Sequence, residues 1–322
     1  MNKSLTHTLT LALAATLAMA SAQAQPDFPN KAVKLVVPFA PGGSSDSSAR
    51  ILAEQLSVKW KQPVIIENKP GANGSLAASF VAKSPANGYT ILYTPVSIGT
   101  IKLFVKSPGF DPLKDLTPVT QVARGDYVLN VQKDLPVNTI GEFADYARNN
   151  AGKVFHGSFG GASQMAFEQL AGMLKFKAID VPYRGEAPAF AALIGGETHA
   201  MFSTLTTARP FIEAGRVKAL GLASKSRSPL APDIKSADES GAKGFHVDFW
   251  FGLTVPAGTP PEVVQKLNAD VNEVLARAEV KERFLGMGLS AAPTSPQEFG
   301  KIIKYESERW VDTARRIGLQ PQ

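Results

Sequence analysis

Lys34-Leu35-Val36-Val37-Pro38-Phe39-Ala40-Pro41-Gly42-Gly43-Ser44-Ser45-Asp46-Ser47-Ser48-Ala49-Arg50 is the stretch from which the fold can be read. Its first four residues form a short apolar run that ends at Pro38, the signature of a buried strand. Beyond the loop, Ala49, Leu52, Ala53 and Leu56 fall at i, i+3, i+4 and i+7, one face of a helix. Between them, Gly42 and Gly43 let the backbone approach a bound group closely, and the serines add hydroxyl donors. Unpaired N–H groups and the helix dipole make such a strand–loop–helix junction an anion site. Asp46 reads as a helix cap or an orienting group before it reads as a catalytic acid.

The pattern continues outward from this unit. Val64-Ile65-Ile66 is the next strand, and Leu76, Ala77, Phe80 and Val81 mark the next helix. The turn pair Asn87-Gly88 introduces a third strand from Tyr89 to Tyr93. The alternation restarts with strand candidates at Val154 to His156, Ala178 to Val181, His199 to Phe202 and Val217 to Leu222. A helix carrying Phe167, Leu170 and Leu174 and another over Pro188 to Ile194 stand between the first three. The C-terminal part is expected to be helical. Val263, Val264, Leu267, Val271 and Leu275 form one stripe there, and Phe299, Ile302, Ile303 and Trp310 form another. Ser295-Pro296-Gln297-Glu298 combines an N-cap serine, a first-turn proline and a capping-box glutamate. The polar segment Leu222 to Gly244 reads as a long surface connection. These patterns predict an α/β protein of two lobes, 26–125 plus 247–322 and 126–246, each a mostly parallel sheet flanked by helices.

Three further loops repeat the chemistry of the first: Gly157 to Gln164, Pro182 to Ala187 and Ser203 to Thr207. Any one of them could be ordinary turn and cap chemistry. Likewise Arg184 alone could be a solvated charge, and Tyr183 a strand-end aromatic. All four loops follow strands expected to be parallel, where ligands bind in open α/β sheets, and together they predict one composite anion site. They contain one cation, Arg184, against Asp46 and Glu186. A ligand's negative charge is therefore expected to meet helix N-termini, N–H groups near Gly43 and Ala162, and hydroxyls such as Ser163 and Thr204.

Composition narrows the chemistry. The 322 residues contain no cysteine, which removes disulfides, thiolate metal sites and cysteine nucleophiles. The four histidines, His7, His156, His199 and His246, are far apart, so no metal centre or cofactor is expected. The net charge of +6 comes from scattered residues, without the basic clusters of a nucleic-acid surface. No GxGxxG, GxxxxGK[ST] or GxSxG pattern occurs. The acid pairs Asp111 with Asp115 and Asp238 with Glu239 read as solvated loop residues. At the N-terminus, Lys3, the apolar run Leu9 to Ala20 and Ala22-Gln23-Ala24 form a secretory signal over residues 1–24, with cleavage after Ala24. An uncleaved N-terminal anchor is the alternative. The mature chain is expected in the periplasm.

The residues also resemble a known family. The opening motif from Lys34 to Gly43 with Asp46, Ala49 and Arg50 is similar to that of the substrate-binding receptors of the tripartite tricarboxylate transporter family, the Bug receptors. Gln62-Pro63-Val64, Glu67 to Ala72, Asn87 to Thr90 and Val181 to Gly185 continue the resemblance. So do Ala187-Pro188-Ala189, Ala214 to Val217, Trp250 to Leu253 and Pro256 to Pro260. It implies a type II periplasmic binding protein, two hinged lobes closing on a ligand in the cleft. It implies a monomeric receptor, not an enzyme, that captures a dicarboxylate, amino-acid or aromatic acid and delivers it to integral-membrane transporter subunits. By resemblance, Phe39, Ala40, Pro41, Gly42, Gly43, Ser44 and Asp46 serve one end of the ligand. Ser158, Gly160, Ala162, Ser163, Gln164, Ser203 and Thr204 serve the other, and Thr94, Ser97, Tyr183 and Gly185 complete the set. Gln164 stands where many relatives have histidine, Arg184 where they have lysine, and Ser203-Thr204 where Asp-Asn or Asp-Thr is common. Two alternatives remain: a receptor presenting its ligand to a sensor kinase, and a hydrolase using Ser44 and Asp46, which lacks a base.

Overall fold

The computed structural model describes residues 28–318, so the expected signal segment 1–24 and its cleavage site lie outside the described residues. Strand β1 (Val33–Val37) leads through the glycine loop into α1 (Ser44–Trp60). Then come β2 (Val64–Asn68), α2 (Ser75–Ala82) and β3 (Thr90–Pro95), which runs through a tight turn into the short α3 (Ile101–Phe104). β1 pairs in parallel with β2 and β3, as the βαβαβ pattern requires. The helix stripe Ala49, Leu52, Ala53 and Leu56 is buried against this sheet.

β4 (Leu116–Gly125) also belongs to the first sheet, and only Asp126 separates it from β5 (Tyr127–Gln132) in a second sheet. There α4 (Ile140–Asn149), β6 (Phe155–Ser158), α5 (Gly161–Leu174), β7 (Ile179–Pro182) and α6 (Glu186–Gly195) follow. β8 (Ala200–Thr204), α7 (Leu205–Glu213) and β9 (Val217–Leu222) complete that sheet, in the order β7-β6-β8-β5-β9. The chain returns to the first sheet as β10 (Phe249–Pro256), followed by α8 (Pro261–Ala276), α9 (Ala278–Gly286), β11 (Leu289–Ala291) and α10 (Pro296–Ile317). The first sheet's order is β11-β4-β10-β3-β1-β2.

Both sheets are mixed rather than mostly parallel. β5 and β10 each begin where the chain has just crossed between sheets, so they run against the βα strands that end there. β10 is antiparallel to β3 and β4, and β5 is antiparallel to β8 and β9. The C-terminal part is helical as expected apart from the three-residue β11, and β10, a strand that the sequence patterns leave unassigned, is buried at all eight positions in the middle of the first sheet. Gly252 within it admits the Phe299 ring, which a Cβ there would meet at 2.1 Å. The expected capping box forms, with Ser295 accepting from Glu298 N–H and Glu298 accepting from Ser295 N–H. The segment 223–248 is an irregular surface connection, much of it exposed, but buried residues anchor it. Ala223, Ala237, Ala242 and Phe245 are buried, and the Ser240 hydroxyl bonds the Leu220 carbonyl and the Ile140 N–H. Small residues let this chain pack beside the end of β9, where Leu222 N–H donates to the Lys235 carbonyl, while its polar atoms find backbone partners. Among the described residues no helix is long and apolar enough to cross a membrane.

Candidate functional site

The parallel strands of both sheets end at the junction between them, and their loops meet there. Ala40 N–H donates to the Arg184 carbonyl at 3.1 Å across the junction. The Phe39 and Phe159 rings stand edge to face, 6.2 Å apart. Two glycines are required by this closeness. A Cβ on Gly185 would lie 3.0 Å from the Ala40 backbone nitrogen, and one on Gly161 would lie 2.1 Å from Thr100 Oγ1.

Between the touching loops lies a cavity of about 20 Å³, room for about one water molecule. Of the sequence-predicted residues, Phe39, Gly43, Ser44, Ser97, Gly160, Ala162 and Ser163 line it. Ser45, Phe159 and Glu186, from the quoted loops but outside the expected contact set, also line it, with Pro95, Val96, Tyr127, Phe249 and Phe251. Phe249 and Phe251, two apart on β10, share one face of that strand, a period-2 signal visible once the strand is recognised. Gln164 and Tyr183, with Arg184, instead line the wider groove at the mouth of the junction, where Arg184 is exposed.

The remaining predicted residues have other partners. Asp46 accepts from Gly42 N–H and Asn68 Nδ2, and forms a two-pronged pair with Arg50. Asn68 also donates to the Phe39 carbonyl, so Asp46 organises the loop rather than lining the cavity. Burial raises the Asp46 carboxyl's pKa. The hydrogen bonds from Arg50, Asn68 and Gly42 outweigh burial and hold it below the usual carboxylate range. Thr94 pairs with Thr254 inside the first sheet at 2.8 Å. Ser203 Oγ accepts from Asn130 Nδ2 at 2.7 Å, and the Thr204 hydroxyl caps α7. Pro41 and Gly42 are exposed, and Ser158 is buried at the end of β6. Ser163 was expected to offer its hydroxyl to a ligand. That hydroxyl accepts from Phe159 N–H and donates to the Gly160 carbonyl, both at 3.0 Å, which shapes the turn into α5.

What faces the cavity with unspent hydrogen-bonding capacity is different. Ser45 and Ser97 are 4% and 3% exposed, and neither hydroxyl has a partner within the protein. Buried hydroxyls rarely stay unpaired, so two on one small cavity mark a place for a polar group. The first-turn N–H groups of α5, including those of Ala162 and Ser163, have no partner inside their helix and add positive potential to the same wall. The buried Glu186 carboxylate takes Ser44 N–H and Ser44 Oγ on Oε2, at 3.1 and 2.8 Å, and Thr204 N–H on Oε1 at 2.5 Å. The Ser44 hydroxyl therefore pairs with Glu186 and not with Asp46, which separates the two groups that the hydrolase alternative combined. Burial first, and then the charges of Glu186 and Glu306, push the Tyr127 phenol's pKa well up, so it stays a neutral donor.

Known proteins share this architecture. R. palustris Rpa4515 with adipate superposes with a TM-score of 0.89 at 33% identity, covering 92% of this chain and 100% of that one. The periplasmic binding protein BugD gives 0.87 at 33% identity, with the same coverage. MatC from Rhodopseudomonas palustris with bound malate gives 0.85 at 33% identity, covering 89% of this chain and 99% of that one. The profile of the tripartite tricarboxylate transporter family receptors matches residues 48–319. The two α/β sheets, the cavity at their junction and this match agree: the chain belongs to the tripartite tricarboxylate transporter receptor family, among the Bug-type periplasmic binding proteins.

Proposed function

We propose that this protein is exported by cleavage after Ala24 and acts in the periplasm as a receptor. Its lobes, 26–125 plus 247–322 and 126–246, close on one small carboxylate, which it delivers to integral-membrane transporter subunits of the tripartite tricarboxylate type. The observation that carries this reading is the pair of buried, unpartnered hydroxyls of Ser45 and Ser97 on a cavity shared by both lobes. The α5 N-terminus on the same wall supplies N–H donors and dipole for a carboxylate without a cation. The bound adipate and malate of two neighbours support the ligand class. A ligand larger than the present cavity enters by lobe separation, and the Ala40–Arg184 and Phe39–Phe159 contacts are the ones that separate.

The test is a thermal-shift screen of residues 25–322 against monocarboxylates and dicarboxylates, followed by calorimetry on any hit. A ligand of the native state raises the transition midpoint with concentration. A rise for at least one carboxylate, with one site per chain, supports the reading. Flat midpoints across the panel, or catalytic turnover of a carboxylate ester, would argue against it.

A further inference from the structure

We propose that Glu186 sets the ligand class of this cleft, selecting carboxylates that also carry a cationic nitrogen and disfavouring dicarboxylates. This rests on the reading of the cleft as a carboxylate receptor site. Glu186 is 3% exposed and lines the cavity, yet among the described residues no Lys, Arg or His pairs with its carboxylate. Its three donors are neutral: the N–H and hydroxyl of Ser44 and the N–H of Thr204. These are the first residue of α1 and the cap of α7, so Glu186 itself takes two helix N-termini that the four-loop pattern had assigned to the ligand. Its negative charge stays in the site.

The ligand's carboxylate is left the other wall: Ser45, Ser97 and the first turn of α5. A second carboxylate at the Glu186 end would face a like charge in a closed, poorly screened space. An ammonium or other cationic nitrogen would instead meet a carboxylate and aromatic rings. Tyr127, Phe249 and Phe251 line the same cavity, with the first two rings 4.9 Å apart and the last two also 4.9 Å apart. Buried carboxylate and ring faces together are the chemistry that recognises organic cations. The favoured ligand is therefore a zwitterion, unlike the dicarboxylates of the neighbouring structures.

The experiment is calorimetry on wild type, Glu186→Gln and Glu186→Ala with paired probes of equal chain length. These are α,ω-dicarboxylates of four to six carbons and the matching ω-amino carboxylates, with α-amino acids added. We expect wild type to bind at least one amino-bearing probe tenfold or more tighter than its dicarboxylate counterpart. The variants should shrink that ratio at least tenfold. The wild-type comparison stands even if a variant fails to fold, and a cooperative melt checks each variant. Tighter wild-type binding of dicarboxylates, or a ratio unchanged in folded variants, overturns the role of Glu186 alone. Failure of every carboxylate to bind folded wild type overturns the receptor reading, and the proposal with it.

Discussion

Ser45 and Ser97 keep buried hydroxyls without protein partners, a condition that costs stability unless a ligand supplies the bond. Ser97→Ala is expected to weaken carboxylate binding by about 1.5–3 kcal/mol, the range for a hydrogen bond to a charged group. The ligand-free protein should melt at the same temperature or slightly higher. Calorimetry and a melt, run together, decide it, since a lower melting point with unchanged affinity would make Ser97 a packing residue only. Ser163→Ala should do the reverse. It should cost about 1 kcal/mol of stability, because its hydroxyl joins Phe159 and Gly160 within the loop. The sequence could show a serine-rich helix start but not which serine faces the cleft, because that depends on the rotation of α1 against a loop from the other sheet. Glu186 was equally opaque, since its partner Ser44 lies 142 positions away. Asp46 makes a pH prediction. Its folded-state pKa lies below the unfolded value, so the unfolded chain binds more protons over that interval and stability rises with pH. Its contribution is complete above about pH 5 and is lost as pH falls through the folded value. Asp46→Asn should flatten the acid limb of a stability-versus-pH curve, and identical limbs would contradict this.

Helices with local signatures were legible. The stripe of α1 and the capping box of α10 are written within a few residues and need no distant partner. β10 was not, although Phe249 to Pro256 is apolar except for Thr254. A strand buried on both faces lacks alternation, and its neighbours β3 and β4 lie more than a hundred residues upstream. The 223–248 segment was legible as a surface connection, but its Ser, Lys and Asp content hid the alanines that pack. The two sheets touch through loops and helix starts. At Gly161 any larger side chain strikes Thr100 from the facing lobe, so Gly161→Val should hold the lobes apart. The expected result is carboxylate affinity at least tenfold lower with a near-normal melting temperature. Unchanged affinity would mean that α5 and Thr100 need not approach for binding.

At the scale of the whole molecule, two mixed sheets direct their loops at one junction, and in the proposed site a ligand's charge would meet dipoles and hydroxyls instead of a cage of cations. Fixed donors inside a closed cleft are little screened, whereas exposed charges are screened within about 8 Å at physiological salt. Affinity should therefore change little between low and physiological salt, and a steep loss in a salt titration would point to surface cations such as Arg184 as the holders. Scattering should show a more compact particle with saturating ligand, and superimposable profiles would count against closure. The central claim is that one carboxylate group is recognised between the lobes. Its most direct test is calorimetry of residues 25–322 with the tightest-binding carboxylate of the screen and with its primary amide, which keeps the shape and removes the charge. One site per chain is expected for the acid, and at least tenfold weaker binding for the amide. Equal binding of acid and amide would contradict it.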